Sequence, residues 1–274
     1  MLDLSEIIYA FLVAALLIVA GYQIYFLPQR IPVKRAKIGK ASIVDERIPF
    51  RPHWVWIYSF AYYPFVLSAI LTLSSIREFY FICISYVGLL FSHVTISFFY
   101  PIRTPDDWRS YGGTSNSVRF LKFVQHVDRG GNCFPSMHVA VAVLTAIHIT
   151  ANGYDRAGYL IFLVWFFPIL ISASALYTKQ HFAADVLPGF ALAIFGYCFY
   201  RYALSHLPLE DPKTVLASFF ALGACVKVFL LSRYRTLSRW LATVWSREIL
   251  NRLLRLSKEA TRTRSRSGWL GSVE

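Results

Sequence analysis

Charged residues are scarce in this chain: Asp, Glu, Lys and Arg together account for 16% of its 274 residues. Soluble domains average about 25% charged residues. They also contain less apolar sequence than the 56% found here. The shortage of charge therefore argues against an ordinary soluble domain and indicates a protein that crosses a membrane several times.

Cysteine is also sparse, and its spacing carries no metal or disulfide signature. The four cysteines are Cys83, Cys133, Cys198 and Cys225, and they form no CxxC pair and no short Cys/His cluster. Zinc sites and disulfide frameworks both depend on such spacings. We therefore expect no metal, no disulfide framework and no cofactor. Cys133 is interpreted mainly as a packing residue.

Acidic residues are few relative to basic ones, 15 against 28, which gives a net charge of +13. Thirteen of the basic residues lie from Arg201 onward, and seven lie between Arg30 and Arg51. Nucleic acid is one possible partner for such a tail. A bilayer with anionic head groups suits a membrane protein better, so we expect that partner and no nucleic acid.

Long apolar runs dominate what remains. Six are close to the length of about 20 residues that crosses a bilayer, and they cover residues 4–27, 54–73, 79–100, 136–151, 157–177 and 182–204. No basic residue precedes Arg30, so the first run is interpreted as a retained span rather than a signal peptide. The sequence predicts an all-α, polytopic membrane protein with a bundle of six transmembrane helices.

This pattern divides the chain into four parts: a first span (1–27), a basic interfacial loop (28–53), a membrane-embedded core (54–204) and a basic tail (205–274). In the tail, Gly223 and Lys227 argue against a seventh span at 215–231. Apolar and basic residues alternate over 240–256, as in an amphipathic helix on a membrane surface. The Ser/Arg/Gly-rich end, 261–274, is expected to be disordered.

Two polar insertions interrupt the apolar sequence where predicted spans begin: 133–138 (CFPSMH) and 179–185 (KQHFAAD). Ionisable groups are costly in a membrane and are usually functional there. His181 and Asp185 are four residues apart, so on a helix they share a face and can hydrogen-bond. His138 falls in the first turn of the preceding helix, after a proline. Helix N-termini attract phosphate, so the pattern predicts a site for phosphoryl transfer.

PSMH followed by HxxxD resembles the second and third motifs of the type 2 phosphatidic acid phosphatase superfamily, PSGH and SRxxxxxHxxxD. The resemblance covers roughly residues 54–202 and is greatest to the branch of inositol phosphorylceramide synthases. It implies that His181 carries a phosphohistidine and that Asp185 orients it. It further implies that His138 acts as acid and later as base, and that Ser136 contacts the phosphate.

The sequence departs from the family in its basic residues. The first motif, KxxxxxxRP, is absent, and Ala175 stands where the third motif has arginine. The nearest replacements for these phosphate-binding cations are Lys179 and Arg103. Ordinary snorkelling at the head-group boundary is the alternative interpretation for both. His93 and His148 lie within predicted spans and are interpreted as core residues.

The expected function is that of a membrane-embedded phosphatase acting on a phosphorylated lipid. Two alternatives remain open: an inositolphosphotransferase-like enzyme that moves a phospho-head group onto an alcohol or ceramide, and a non-catalytic lipid-binding protein of the same fold. Six spans would place the loops 28–52 and 101–135 and the His181 turn on one face. Counts of 13 and 15 basic residues on the two faces favour a cytoplasmic tail and a non-cytoplasmic site.

Overall fold

The computed structural model of this chain describes residues 2–30, 35–152 and 158–206, with six further residues between 213 and 224. Every element below belongs to the compact unit Met1–Ala221. The predictions for 215–231, 240–256 and 261–274 lie almost entirely outside the described residues. Within the described residues the chain is mostly helical, as the sequence predicts.

The described α-helices occupy the predicted apolar runs and also parts of the segments that connect them. They are α1 (Leu4–Tyr25), α2 (Leu27–Arg30), α3 (Ile43–Arg47), α4 (Tyr62–Ser68), α5 (Ile76–Phe99), α6 (Asn116–Val127), α7 (Met137–Asn152), α8 (Gly158–Tyr177) and α9 (Ala183–His206). Short 3₁₀ turns lie at Pro52–Trp54, Ala69–Thr72 and Asp107–Arg109. Two strands, β1 (Lys37–Ile38) and β2 (Ile102–Arg103), form a small parallel pair that an all-α prediction does not include.

Four helical segments are long and apolar enough to cross a membrane: Leu4–Arg30, Pro52–Thr72, Ile76–Phe99 and Ala183–Tyr202. The apolar helices Met137–Asn152 and Ile161–Tyr177 are shorter. Large apolar side chains project outward from these helices, among them Leu16, Phe162 and Leu187. Such an outer surface suits contact with lipid chains, and the molecule is an integral membrane protein.

Helix α7 forms the centre of the bundle. Every residue from Val139 to Ala146 is buried, because α7 packs against α4, α5, α8 and α9. Helix α9 approaches the start of α7 closely at Gly189, where a Cβ would lie 2.6 Å from the Ser136 carbonyl oxygen. Small residues allow this kind of close helix contact in membranes. The contact fixes the beginning of α7 against the beginning of α9.

The second apolar segment is less regular than the single helix that its sequence predicts. It starts with a 3₁₀ turn, continues as a π-helix over Trp56–Ala61, becomes α4, and ends in another 3₁₀ turn. π-Turns are rare and occur frequently at functional sites. Tyr58 lies in this π-helix and is buried, with only 2% of its surface exposed.

Three connecting segments meet at one end of the bundle. The parallel pair joins 37–38 to 102–103, with Gly39 N–H donating to the Arg103 carbonyl at 3.0 Å. The Arg51 N–H donates to the Tyr177 carbonyl at 2.9 Å. The loop 28–52, the loop 101–135 and the His181 turn are thus in direct contact, as expected if they share a face.

Helix α6 was missed by the sequence reasoning, which treated 101–135 as a polar loop. The Ser115 hydroxyl caps the helix by accepting from the Val118 N–H at 3.3 Å. Val118, Leu121 and Gln125 are buried at spacings of three and four, the pattern of an amphipathic helix. The signal was present in the sequence, but the charged and glycine residues around it obscured it.

Candidate active site

His181 lies in the turn between α8 and α9 and is 3% exposed. The turn is a Schellman motif: Gln180 N–H donates to the Ala175 carbonyl at 3.0 Å and Lys179 N–H to the Leu176 carbonyl at 3.1 Å. Lys179 takes the left-handed position of this motif, with φ of 56°, a place normally filled by glycine. The turn thus holds the His181 backbone rigidly at the start of α9.

Two acceptors surround His181 Nδ1. The Cys133 carbonyl oxygen lies 2.8 Å from it, and the Asp185 Oδ2 atom lies 3.5 Å from it. Neither group can donate a proton in these forms, so in the neutral ring Nδ1 is the protonated nitrogen and Nε2 carries the lone pair. The structure places Asp185 beside His181 as predicted, but the closer partner is a backbone carbonyl.

Asp185 also organises the start of its own helix. Its Oδ2 atom accepts from the Phe182 N–H at 2.9 Å, and its carbonyl accepts from the Ser136 N–H at 3.1 Å. The carboxylate therefore caps α9 while lying next to His181. The backbone bond ties the HxxxD segment directly to the PSMH segment.

His138 is held by two tyrosines from the segment 52–72. Its Nδ1 lies 3.0 Å from the Tyr58 hydroxyl, and the two rings stack with centroids 4.1 Å apart. The Tyr62 ring packs on it at 5.1 Å. The centroids of the His138 and His181 rings are 6.2 Å apart. The structure thus brings together the two histidines that the sequence paired.

Ser136 is fully buried at the start of α7. Its Oγ accepts from the Val139 N–H at 3.5 Å, as an N-cap residue does. The hydroxyl proton is not used in that bond and can be donated to another acceptor. Ser136 therefore combines a capping role with a free donor next to His138.

Lys179 lies against the segment that follows the first span. Its Nζ donates to the Asp45 carbonyl at 2.5 Å and lies 4.9 Å from the centre of the Trp108 ring. Burial lowers the pKa of Lys179, and the Asp45 charge acts in the opposite direction. The ammonium has three N–H donors, so this contact leaves it capacity for a further acceptor.

Asp45 is a site residue that sequence reasoning missed. Its carboxylate is 2% exposed, and its Oδ1 accepts from the Ala183 N–H, at the first residue of α9, at 2.7 Å. Burial would raise the pKa of Asp45, but hydrogen bonds from Ser42 and Ala183 and the Lys179 charge offset it, and the pKa is lowered. Asp45 thus ties α3 to the His181 turn and to the start of α9.

Arg103 is placed differently from the other predicted residues. Its guanidinium forms two hydrogen bonds to Asp106, at 2.5 and 3.1 Å, near the surface. The Arg103 side chain lowers the pKa of Asp106 by hydrogen bonding and by its charge. The contacts of Arg103 are therefore with Asp106 rather than with the histidines.

The loop before Cys133 is held by a polar network. Asp128 accepts from Gln29 Nε2 at 2.7 Å and from the Gly130 N–H at 2.8 Å, while its carbonyl accepts from Arg109 at 2.8 Å. Burial, with the charges of Asp185 and Asp128, raises the pKa of the Cys133 thiol. Cys133 therefore acts here through its carbonyl and as a buried neutral side chain.

An apolar cavity of about 180 Å³ lies between α1, α4 and α5 and reaches the start of α7. Its walls include Leu17, Leu67, Phe79 and Leu90, and His138 lines it beside Met137. A dry cavity of about 150 Å³ can take up benzene. This cavity therefore has room for a segment of hydrocarbon chain directly beside a site histidine.

The other buried histidines belong to the helix interior. His148 Nε2 lies 3.0 Å from Ser85 Oγ, and the His93 ring stacks on Tyr25 with centroids 5.3 Å apart. In the part of the chain that the structure describes, no three His, Cys, Asp or Glu side chains are grouped to hold a metal ion.

Comparison with known proteins places these residues in a family context. The family model of the PAP2 superfamily matches residues 39–199, more than half of the chain, and the match includes both histidines and Asp185. No curated protein matches the chain.

Proposed function

The chain belongs to the PAP2 superfamily, and from that premise we propose that it is a membrane-embedded lipid phosphate phosphatase that acts through a phosphohistidine at His181. Membership supports a lipid phosphatase or phosphotransferase type of activity. The observation that supports a lipid as the substrate is the apolar cavity that reaches His138. A substrate chain in this cavity would bring its phosphate to the two histidines.

In the first proposed step, the Nε2 lone pair of His181 attacks phosphorus. The bond between phosphorus and the lipid oxygen breaks, and that oxygen takes the Nε2 proton of the His138 imidazolium. His181 is suited to the attack because the acceptors at its Nδ1 leave Nε2 unprotonated. The products of this step are the free lipid alcohol and phosphorylated His181.

In the second proposed step, neutral His138 removes a proton from water as the water oxygen attacks phosphorus. The bond between phosphorus and Nε2 of His181 breaks, and its electron pair returns to the imidazole. Inorganic phosphate leaves, and His138 is again an imidazolium. Acid–base catalysis of this kind contributes about 10² to 10⁴ in rate.

The phosphate oxygens need donors, which we assign to Ser136, Lys179 and Arg103. Ser136 offers its hydroxyl proton, and Lys179 offers ammonium protons beyond the one given to Asp45. Arg103 would have to exchange Asp106 for phosphate, which costs little because the Asp106 carboxylate is exposed. The N-termini of α7 and α9 add favourable backbone dipoles.

Transfer to an alcohol, as in the inositol phosphorylceramide synthase branch, is the second candidate. The observation that favours it is burial: His181 and Asp185 are 3% and 2% exposed. A transferase has to exclude water from its covalent intermediate, and a closed site does so. We favour hydrolysis because no binding site for an acceptor alcohol is identified among the residues that the structure describes.

We expect purified protein in detergent to release phosphate from a lipid monophosphate, such as phosphatidic acid or a polyprenyl phosphate, with water as the only acceptor. The measurement is radiolabelled phosphate release, with parallel reactions supplied with inositol or ceramide. Product formed only when an alcohol is added would make the protein a transferase. Lipid binding without turnover under every condition would favour the non-catalytic alternative.

We also propose six spans, with the site on the non-cytoplasmic face and the basic tail in the cytoplasm against anionic lipid. The two shorter helices, α7 and α8, are the ones that need testing. In a variant without native cysteines, single cysteines at Ser115 and Ser267 should react from opposite sides of sealed vesicles. Labelling of both from the same side would contradict the six-span arrangement.

A further inference from the structure

We propose that Tyr58 is a positioning residue that holds His138 in the tautomer needed for its two proton transfers. The inference rests on the proposed function for its chemistry, but it concerns an interaction that neither the motifs nor the family match assigns. Tyr58 lies 80 residues before His138 and outside both polar insertions. Only the folding of the chain brings Tyr58 next to His138.

The geometry gives Tyr58 two separate contacts with His138. Its hydroxyl lies 3.0 Å from Nδ1, and its ring stacks on the imidazole at 4.1 Å with 26° between the planes. The same ring lies 6.5 Å from the His181 ring. Stacking fixes the plane of the imidazole, and the hydrogen bond fixes its rotation, so Nε2 has one direction in which to act.

The two histidines differ in the groups at their Nδ1 atoms. His181 has a backbone carbonyl and a carboxylate, whereas His138 has a neutral phenol. A carboxylate favours the charged imidazolium strongly, which would hinder proton release. A phenol oxygen accepts a hydrogen bond without adding charge. The Asp185 carboxylate would stabilise the positive charge that the His181 ring takes up when its Nε2 bonds to phosphorus, and the neutral phenol lets His138 alternate between cation and neutral base.

Proton counting requires an acceptor at His138 Nδ1. As an imidazolium, His138 gives its Nε2 proton to the leaving lipid oxygen and retains its Nδ1 proton. It must then take a proton from water at Nε2, so Nε2 has to be the unprotonated nitrogen of the neutral ring. The tautomer of a histidine is set by the bond that its other nitrogen makes. In the proposed arrangement Tyr58 Oη accepts a hydrogen bond from the His138 Nδ1–H in both states.

The local backbone explains how Tyr58 reaches this position. It belongs to the π-helix Trp56–Ala61, which is followed directly by α4. Tyr58 and Tyr62, four residues apart, both pack on His138. The irregular turn therefore aims two aromatic rings at one imidazole, in keeping with the frequent use of π-turns at functional sites.

The test compares Tyr58→Phe, which keeps the ring but removes the acceptor, with the wild type. The protein is labelled with ¹⁵N-histidine, and the His138 signal is assigned by its loss in His138→Gln. We expect neutral His138 to carry its proton on Nδ1 in the wild type and to shift toward the Nε2-protonated form in Tyr58→Phe. A wild-type His138 protonated on Nε2 would overturn the proposal, whatever reaction the protein catalyses.

Kinetics give the second readout. With a lipid monophosphate, Tyr58→Phe should slow both formation and hydrolysis of the phosphoenzyme by about 10- to 100-fold, part of the full acid–base contribution. With p-nitrophenyl phosphate, whose leaving group needs no proton, formation should change by less than about 3-fold, because formation depends on His138 only through protonation of the leaving group. Hydrolysis should still be slow, because both substrates yield the same intermediate.

Two comparisons separate positioning from a general structural effect. Tyr9→Phe removes a tyrosine hydrogen bond of 2.6 Å to Tyr80 away from the site, and it should leave the rates unchanged. In a His138→Ala background, Tyr58→Phe should add no further loss, since coupled residues are not additive. Additive losses, or a Tyr58→Phe enzyme as fast as Tyr9→Phe, would contradict the proposal. A wild type without phosphatase activity would instead count against the proposed function.

Discussion

Replacement of His181 by alanine is expected to abolish both phosphate release and the phosphoenzyme. In the proposed mechanism His181 supplies the attacking nitrogen, and the Cys133 carbonyl and Asp185 at its Nδ1 make Nε2 the unprotonated nitrogen of the neutral ring. Removing a nucleophile that works as part of a unit typically costs on the order of 10⁴-fold or more. Acid-labile, base-stable radiolabel on protein quenched during turnover measures the intermediate, and phosphate release measures turnover.

The matched control for this prediction is His206→Ala, since His206 is an exposed histidine bonded to the Tyr202 carbonyl at the end of α9, the helix that follows His181. It should retain full activity and full labelling. His138→Ala should slow formation of the intermediate from a lipid substrate and also slow its breakdown. Residual turnover in His181→Ala above the background of a mock preparation would rule out His181 as the nucleophile.

The sequence predicts the part of this site that depends on helical spacing. His181 and Asp185 are four residues apart, and the structure places them side by side. The six apolar runs likewise became helices within a few residues of their predicted ends. The spacing of residues on a helix and the length of an apolar run are properties of the local sequence. Both can therefore be predicted without knowledge of tertiary contacts.

The closest partners of the two histidines could not be read in this way. The Cys133 carbonyl lies 48 residues from His181, and every residue has a carbonyl. Tyr58 was one aromatic residue among several at the start of a span, and nothing in its sequence distinguishes a π-turn from an α-turn. Both contacts depend on how separate helices pack.

Lys179 and Arg103, the two proposed replacements for the missing phosphate-binding cations, differ in how well their positions in the sequence predict their positions in the structure. Lys179, two residues before His181, is part of the turn that holds His181. Arg103 was chosen because it follows the third span, but it pairs with Asp106 three residues later. The acidic residue three positions later gives the guanidinium a local partner. We therefore propose Lys179 ahead of Arg103 as a ligand for phosphate.

Replacement of Lys179 by glycine is the sharpest test of that ranking. Lys179 occupies a left-handed position with φ of 56°, which glycine adopts without strain. The variant therefore removes the ammonium group while relieving backbone strain. Relief of backbone strain should stabilise the folded protein by about 1 kcal/mol, and loss of the hydrogen bond to the Asp45 carbonyl should destabilise it by about the same amount. The free energy of unfolding should therefore hardly change. Catalysis should fall by about 10²- to 10³-fold, the usual cost of losing one preorganised donor.

The comparison set for this prediction is Lys179→Ala and Arg103→Ala. Lys179→Ala should be as inactive as Lys179→Gly but should unfold at a lower temperature, because alanine keeps the strained backbone. Arg103→Ala should lose far less activity, since its guanidinium is already shared with an exposed carboxylate. Phosphate release under saturating lipid gives the activity, and thermal unfolding in detergent gives the stability. A Lys179→Gly enzyme with normal turnover and reduced stability would show that Lys179 only clamps the Asp45 segment, and that another group binds the phosphate.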